Sequence, residues 1–218
     1  LGATIAENTA DSTDIWVSGC SIRKRGSGTV NVERTAIGLN TSTGGGAGPQ
    51  LWIDTSDSSS LRMSDSLVVL GDHDAMDVRA DNTSTVNLVN LTVADNAEKG
   101  VFMGQFGSST MTLYNTISFG NLNDFSILNG SVDTGSNLIG VDPLFVNTAA
   151  IDYELGIGSP AENAGDNHPP GDSRLFDFAG NPRIKDGTVD IGSYEGIAEV
   201  FSDGFESGQT DAWSTVSP

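Results

Sequence analysis

The chain has 218 residues and carries 10 Lys and Arg against 29 Asp and Glu, a formal net charge of −19. That length suits one domain with a modest core, and the charge excludes binding to DNA, RNA or an anionic membrane by simple attraction. No apolar run approaches the roughly 18 residues of a membrane span, and the single cysteine, Cys20, cannot close an intramolecular disulfide.

In chain order, the segment 1–14 is polar and starts without a Met or a signal peptide, so it reads as the start of a mature or trimmed piece of an extracytoplasmic precursor. Ala3 and Ile5 suggest a short first strand. A repeat array exposes unpaired backbone and apolar cross-section at its first coil unless something covers it. The segment 1–14 offers no amphipathic helix for that purpose, so Leu1, Ala3 and Ile5 are candidates for contact with upstream residues or with another chain. Ile15, Trp16 and Val17 read like Leu51, Trp52 and Ile53, and the segment 29–40 reads like the strand after Ser60. Between them, the Gly-rich stretch 41–49 (TSTGGGAGP) reads as an insertion that lengthens one coil; it lacks the Lys-Ser/Thr and helix start of a phosphate loop. The plain reading of Cys20 is a small apolar core residue.

From Leu51 to Phe125 the chain divides into three gapless segments of 25 residues, starting at 51, 76 and 101. A fixed period in this range marks a repeat architecture. Leu61, Met63, Leu67 and Val69 recur as Val86, Leu88, Thr92 and Ala94, then as Met111, Leu113, Ile117 and Phe119. This is the two-residue alternation of a strand with one face inward, in segments rich in Val, Ile and Thr. The expected fold is all-β: a parallel β-helix, or β-solenoid, of about 25 residues per coil, with right-handed crossovers. The coils are expected to occupy 1–138, with the regular repeats at 51–125, followed by a C-terminal cap at 139–200 and a tail at 201–218.

The segment 139–200 carries a resemblance. Residues 137–147 (NLIGVDPLFVN), 152–165 (DYELGIGSPAENAG) and 177–196 (DFAGNPRIKDGTVDIGSYEG) resemble the irregular C-terminal cap of bacterial right-handed parallel β-helix proteins of the choice-of-anchor kind. Five motifs occur in order: DP-x-F, DY-x-L, SPA-x-x-AG, D-x-x-G-x-x-R and VDIGAYE, with Ser193 in place of the commoner Ala. The coils before it resemble the pectate-lyase-like superfamily in general outline. The tail, FSDGFESGQTDAW at 201–213, resembles a C-terminal tail of secreted or surface proteins of Gram-negative bacteria. That resemblance implies attachment or sorting; the plainer reading is a final strand and turn that docks Phe201, Phe205 and Trp213.

Chemistry is expected in rows of outward side chains. One row holds Asp54, Arg79 and Gly104, a second Arg62, Asn87 and Thr112, and a third Asp65, Asn90 and Asn115. Asp54, Asp77 and Arg79 beside Trp52 form the nearest approach to a polysaccharide-cleaving groove, an acid, a base and an aromatic platform. The plainer reading is a surface ion pair between Asp54 and Arg79, and no catalytic set is assigned. The Asp65, Asn90 and Asn115 row reads as a hydrogen-bonded side-chain ladder at a bend. Asp72, His73, Asp74 and Asp77 crowd one turn. Oxygen-rich turns suit Ca²⁺, but the frame of a calcium loop is missing, so a solvated acidic loop is the plainer reading and no cofactor is assigned. His168 sits in a proline-held surface loop. The sequons at Asn40, Asn82, Asn90 and Asn129 are incidental in a bacterial protein.

Two functions compete. The first is a secreted or cell-surface structural β-solenoid that stacks on itself or binds a surface component; the second is a polysaccharide lyase, hydrolase or glycan-binding module. The outward positions are filled with Ser, Thr, Asn and Asp, which favours the first.

Overall fold

The computed structural model describes residues 4–6, 9–10, 19–42, 48–171, 175–185 and 187–196. The expected residues Leu1, Ala3, Ile15, Trp16, Val17, Phe201, Phe205 and Trp213 lie outside that set. The described chain is a parallel β-solenoid of about four turns. Successive coils pair in parallel with a 25-residue offset: Ser60 lies beside Thr85 and Thr85 beside Thr110, while Leu51 lies beside Met76 and Met76 beside Val101. Apart from a 3-10 turn at Thr148–Ala150 the described residues contain no helix.

Each regular coil has three corners, and each corner is a residue in the left-handed region. The first row of corners is Asp57, Asn82 and Gly107 (φ 62°, 58° and 63°), the second Asp65, Asn90 and Asn115 (51°, 54° and 50°), the third Leu70, Asp95 and Gly120 (56°, 55° and 76°). Asn, Asp and Gly tolerate this conformation best, which explains why they recur there. The first corner is tied by hydroxyls one period apart: Ser59, Ser84 and Ser109 donate back to the carbonyls of Ser56, Asp81 and Phe106 at 2.7, 2.8 and 2.8 Å.

The second corner overturns one sequence expectation. Leu61, Met63, Val86, Leu88, Met111 and Leu113 fill the interior as the alternation requires. Beyond the corner the phase flips. Val68, Leu91 and Val93 point inward and join the same core, whereas Leu67, Val69, Ala94 and Ile117, expected inside, lie in separate clusters outside the coil wall. A left-handed residue turns the backbone without advancing the two-residue alternation, so the side-chain pattern shifts by one.

The first described coil is corrected too. The strand beside Leu51–Thr55 is Cys20–Lys24, with Cys20 opposite Leu51 and Ile22 opposite Ile53; the pairing expected of Ile15 to Val17 belongs to this segment. Thr29 does lie beside Ser60 and Ala36 beside Leu67. The offset here is 31 residues, as the 41–49 insertion demands. Cys20 is half-buried against the core, and burial raises its thiol pKa. The backbone of Thr4–Ala6 adds one further strand, with Ile5 beside Ile37.

The described part of the segment after Asp142 packs beside the coils. It folds back along the flank, and its Phe145, Tyr153, Phe178 and Tyr194 cover the outward Leu67, Val69 and Ala94, while Leu155, Ala161 and Ile191 cover Ile117. Phe145 and Tyr153 meet edge to face at 5.1 Å, as do Phe178 and Tyr194 at 5.4 Å.

The corner row supplies a test. Asn90→Ala is expected to lower stability by about 2–3 kcal/mol through left-handed strain and two lost hydrogen bonds. Asn90→Gly should lose about 1 kcal/mol less, because glycine accepts the conformation. Urea unfolding followed by circular dichroism measures both.

Candidate functional site

Two groups of polar side chains stand out, one on the outer face of the sheet containing Leu51–Thr55 and one at the junction between the coils and the flank. On the outer face, the one-coil register puts Trp52 beside Asp77 and Asp54 beside Arg79, as expected. Their pairing differs from expectation. Arg79 does not bridge to Asp54: its Nε and Nη2 donate to both oxygens of Asp77, two residues away on the same face, at 3.0 and 2.9 Å. Asp54 instead accepts from Arg25 at 3.1 and 2.6 Å and lies 3.4 Å from Arg23. The guanidinium of Arg79 lies 5.2 Å from the Trp52 ring centre, and Lys99 lies 5.1 Å from that of Phe102. The hydrogen bond to Asp77, with the nearby Asp77 and Asp54 charges, outweighs burial and raises the Arg79 pKa. At this partial exposure each pair contributes about 0–1 kcal/mol. The outer carboxylates are thus engaged by arginines rather than set across a gap for acid–base work.

The turn at Asp72, His73, Asp74 and Asp77 is also dispersed. Asp74 accepts from the backbone N–H of Lys99 at 2.9 Å and from its Nζ at 3.0 Å. His73 lies 3.5 Å from Glu98 and 3.8 Å from Asp72, and Asp77 is held by Arg79. Among the described residues no group of three or more His, Cys, Asp or Glu comes together as metal ligands. The Arg62, Asn87 and Thr112 row keeps its register, and Thr112 donates to Asn87 at 2.9 Å.

At the junction, the expected ladder is present and buried. Asn90 Nδ2 donates to Asp65 Oδ1 at 3.0 Å, and Asn115 Nδ2 donates to Asn90 Oδ1 at 3.0 Å; all three side chains are fully buried, which also removes Asn90 as a glycan acceptor. A second ladder, missed in the sequence although Asn96 and Asn121 are one period apart, links Asn40, Gln50, Asn96 and Asn121.

The flank clasps the first ladder. Arg183, 2% exposed, donates from Nε and Nη2 to Asp65 Oδ1 at 2.9 and 2.7 Å, from Nη1 to Glu195 Oε1 at 2.9 Å, and from Nη2 to the Gly192 carbonyl at 2.8 Å. The backbone of Asp166 donates to Asn115 Oδ1 at 2.8 Å, and Asn115 donates back to its carbonyl at 2.9 Å. Thr92 Oγ1 accepts from the backbone and hydroxyl of Ser193 at 3.0 and 2.9 Å. Asp177 accepts from the backbones of Asn181 and Glu195 at 2.6 and 3.0 Å. Asp190 accepts from those of Asn163 and Gly196, both at 2.6 Å. Tyr153 donates to Asp95 at 3.0 Å; burial, then Asp95, raises its hydroxyl pKa.

Compared with family models, curated proteins and solved structures, the chain matches none. The resemblance of the flank therefore rests on its motifs, and the geometry gives several of their residues work: Asp177, Arg183, Asp190 and Glu195 all belong to this one buried network.

The network holds one arginine among four buried carboxylates, Asp65, Asp177, Asp190 and Glu195. Burial pushes the Glu195 carboxyl from 4.5 up to about 7; Arg183 opposes the rise and Asp190 adds to it. The folded state holds this proton more tightly than the unfolded chain, so the contribution is full below about pH 4.5 and is lost as pH rises through about 7. The thermal midpoint of the native chain, relative to Glu195→Gln, should therefore fall between pH 4.5 and 7, as read by circular dichroism. Arg183→Met leaves Asp65 buried without its cation and is expected to cost about 3–5 kcal/mol, with the flank protons exchanging faster in hydrogen-exchange measurements.

Proposed function

We propose that the chain is a structural β-solenoid of the outer surface of a Gram-negative bacterium, secreted or surface-held, which associates end to end with copies of itself. One observation carries this reading. The inward row Ile22, Ile53, Val78, Met103 and Ile127 runs through the stack in register; its middle members are fully buried, while Ile22 is half-buried and Ile127 is 43% exposed. Asn123–Asn129, which carries Ile127, pairs with Lys99–Gln105 on one edge and with no described strand on the other. Unpaired backbone next to exposed core side chains is a template for another strand, and a second copy presenting its first coil would continue both the sheet and the apolar row. The flank supports the reading, since its described residues pack against the side of the stack. The resemblances of 137–196 and of the tail support a bacterial surface location.

A glycan-binding role on the outer face is the second reading, favoured by Trp52 lying between engaged charges. The scaffold reading ranks first because Asp54 and Asp77 are already bonded to arginines.

Sedimentation velocity over a concentration series, with negative-stain microscopy, is expected to show linear multimers. Ile127→Lys, which puts a charge on the open end, should return the chain to monomer. A native chain that stays monomeric throughout, or an Ile127→Lys variant that multimerises equally, would overturn the reading.

A further inference from the structure

The open-edge strand ends on a dipeptide found once in the chain. Asn129 is the one asparagine followed by glycine; Asn82, Asn90 and Asn115, which turn the regular corners, are followed by Thr, Leu and Thr. The difference matters because an asparagine side chain can close a five-membered ring onto the next backbone nitrogen. A side chain on the following residue obstructs that approach, and glycine has none. This ring closure is a main reason that asparagine is thermolabile.

The fold keeps this dipeptide within reach of water. Asn129 and Gly130 are both exposed, whereas Asn90 and Asn115 are fully buried and bonded along their ladder. Asn129 closes the strand Asn123–Asn129, which pairs with Lys99–Gln105 on one edge and with no described strand on the other. The pairing is irregular at that point: Ile127 lies opposite Met103 but Asn129 opposite Gly104, so Leu128 is an extra residue, and a bulge of this kind disrupts the pairing locally. Gly130 then turns through the left-handed region at φ 73°. Gln105 holds the chain on either side of the Asn129–Gly130 peptide. Its carbonyl accepts from Asn129 Nδ2 at 3.0 Å and its Oε1 from the Ser131 N–H at 2.6 Å, both in exposed positions. Neither bond uses the Gly130 N–H, and exposed bonds at a sheet edge open readily.

We propose that Asn129–Gly130 is a site of self-modification, where the chain loses ammonia and converts to aspartate and isoaspartate, and that this conversion withdraws the open end from association. The Gly130 nitrogen attacks Asn129 Cγ and forms a new N–C bond; the Cγ–Nδ2 bond breaks, and ammonia leaves with the proton from the Gly130 nitrogen. Water then adds to either carbonyl of the resulting succinimide ring. Opening at Cγ gives aspartate, and opening at the Asn129 main-chain carbonyl gives isoaspartate, with no oxidation or reduction. Either product replaces the donor that faces the Gln105 carbonyl with a carboxylate. Isoaspartate also routes the main chain through Cβ and Cγ, lengthening it by a methylene, so the last carbonyl of the open edge leaves the spacing that a neighbouring strand requires. The chemical step needs no partner; its effect on association rests on the end-to-end stacking proposed for the open edge.

The test follows the full chain, folded and in urea, through incubation at neutral and mildly alkaline pH. Peptide mass spectrometry locates each amide that becomes an acid, and an isoaspartate-specific methyltransferase labels that product. In the folded chain Asn129 is expected to convert about tenfold faster than any other asparagine, and faster at the higher pH. Asn129→Gln, whose longer side chain disfavours the ring, should abolish the isoaspartate label. Conversion without preference for Asn129, or protection of Asn129 by folding of more than about a hundredfold relative to urea, would overturn the site. Sedimentation velocity then compares aged with fresh samples of each chain. Multimers are expected to decline in native samples in step with conversion, and to stay at their own fresh level in Asn129→Gln. Converted native chains that multimerise as fresh ones do would refute the effect on association. Fresh native chains that are monomeric would sink that effect together with end-to-end stacking, while the mass spectra still decide the chemical step.

Discussion

The hydrogen-bonded row of Asp65, Asn90 and Asn115 is the constraint on which the rest of the structure depends. Each residue bends its coil through the left-handed region, and each side chain bonds to the coil above or below. The bend reverses which side chains face inward, and that reversal creates the apolar outer wall of Leu67, Val69, Ala94 and Ile117. An apolar wall of that size requires a cover. The flank supplies it, and is fastened to the same row through Arg183 and Asp166.

Much of this was legible in the sequence. The 25-residue period fixed the register because identical coils stack with their backbone bonds aligned, so residues one period apart must be neighbours. The Asn ladder was readable for the same reason. The phase flip was not, since Leu67 and Val69 are apolar for a different cause, their cover by the flank, and the uninterrupted alternation through Asp65 disguises it. Arg79 was misassigned because period reasoning sees only neighbours between coils, whereas the bidentate grip on Asp77 lies within one strand. The clasp itself joins Arg183 to Asp65 across 118 residues and carries no periodic signal. Its trace was the motif resemblance around Asp177, Arg183 and Glu195, which named the residues without their partner.

The two polar regions differ in how much their charges matter. On the outer face the arginines are partly exposed and their pairs with Asp54 and Asp77 contribute little energy, but they occupy carboxylates that acid–base chemistry would need. At the junction the same residue types are dry. Burial of Glu195 against Arg183 makes the clasp sensitive to protonation, and backbone N–H groups of Asn163, Asn181, Glu195 and Gly196 hold Asp177 and Asp190 in place. Removing the arginine there is costly because it strands a charge, not because the pair was strongly favourable to begin with.

The ladder also has a direction. Every amide in it donates toward the N-terminal neighbour, so the series must begin with a residue that only accepts, and aspartate is that residue. Arg34, next along the row, has no acceptor to offer and cannot extend it. The row therefore counts coils: its first member is fixed by an acid and its last by the Asp166 backbone. A chain that gained a repeat by duplication could insert it between Asp65 and Asn115 without breaking the series, but not beyond either end.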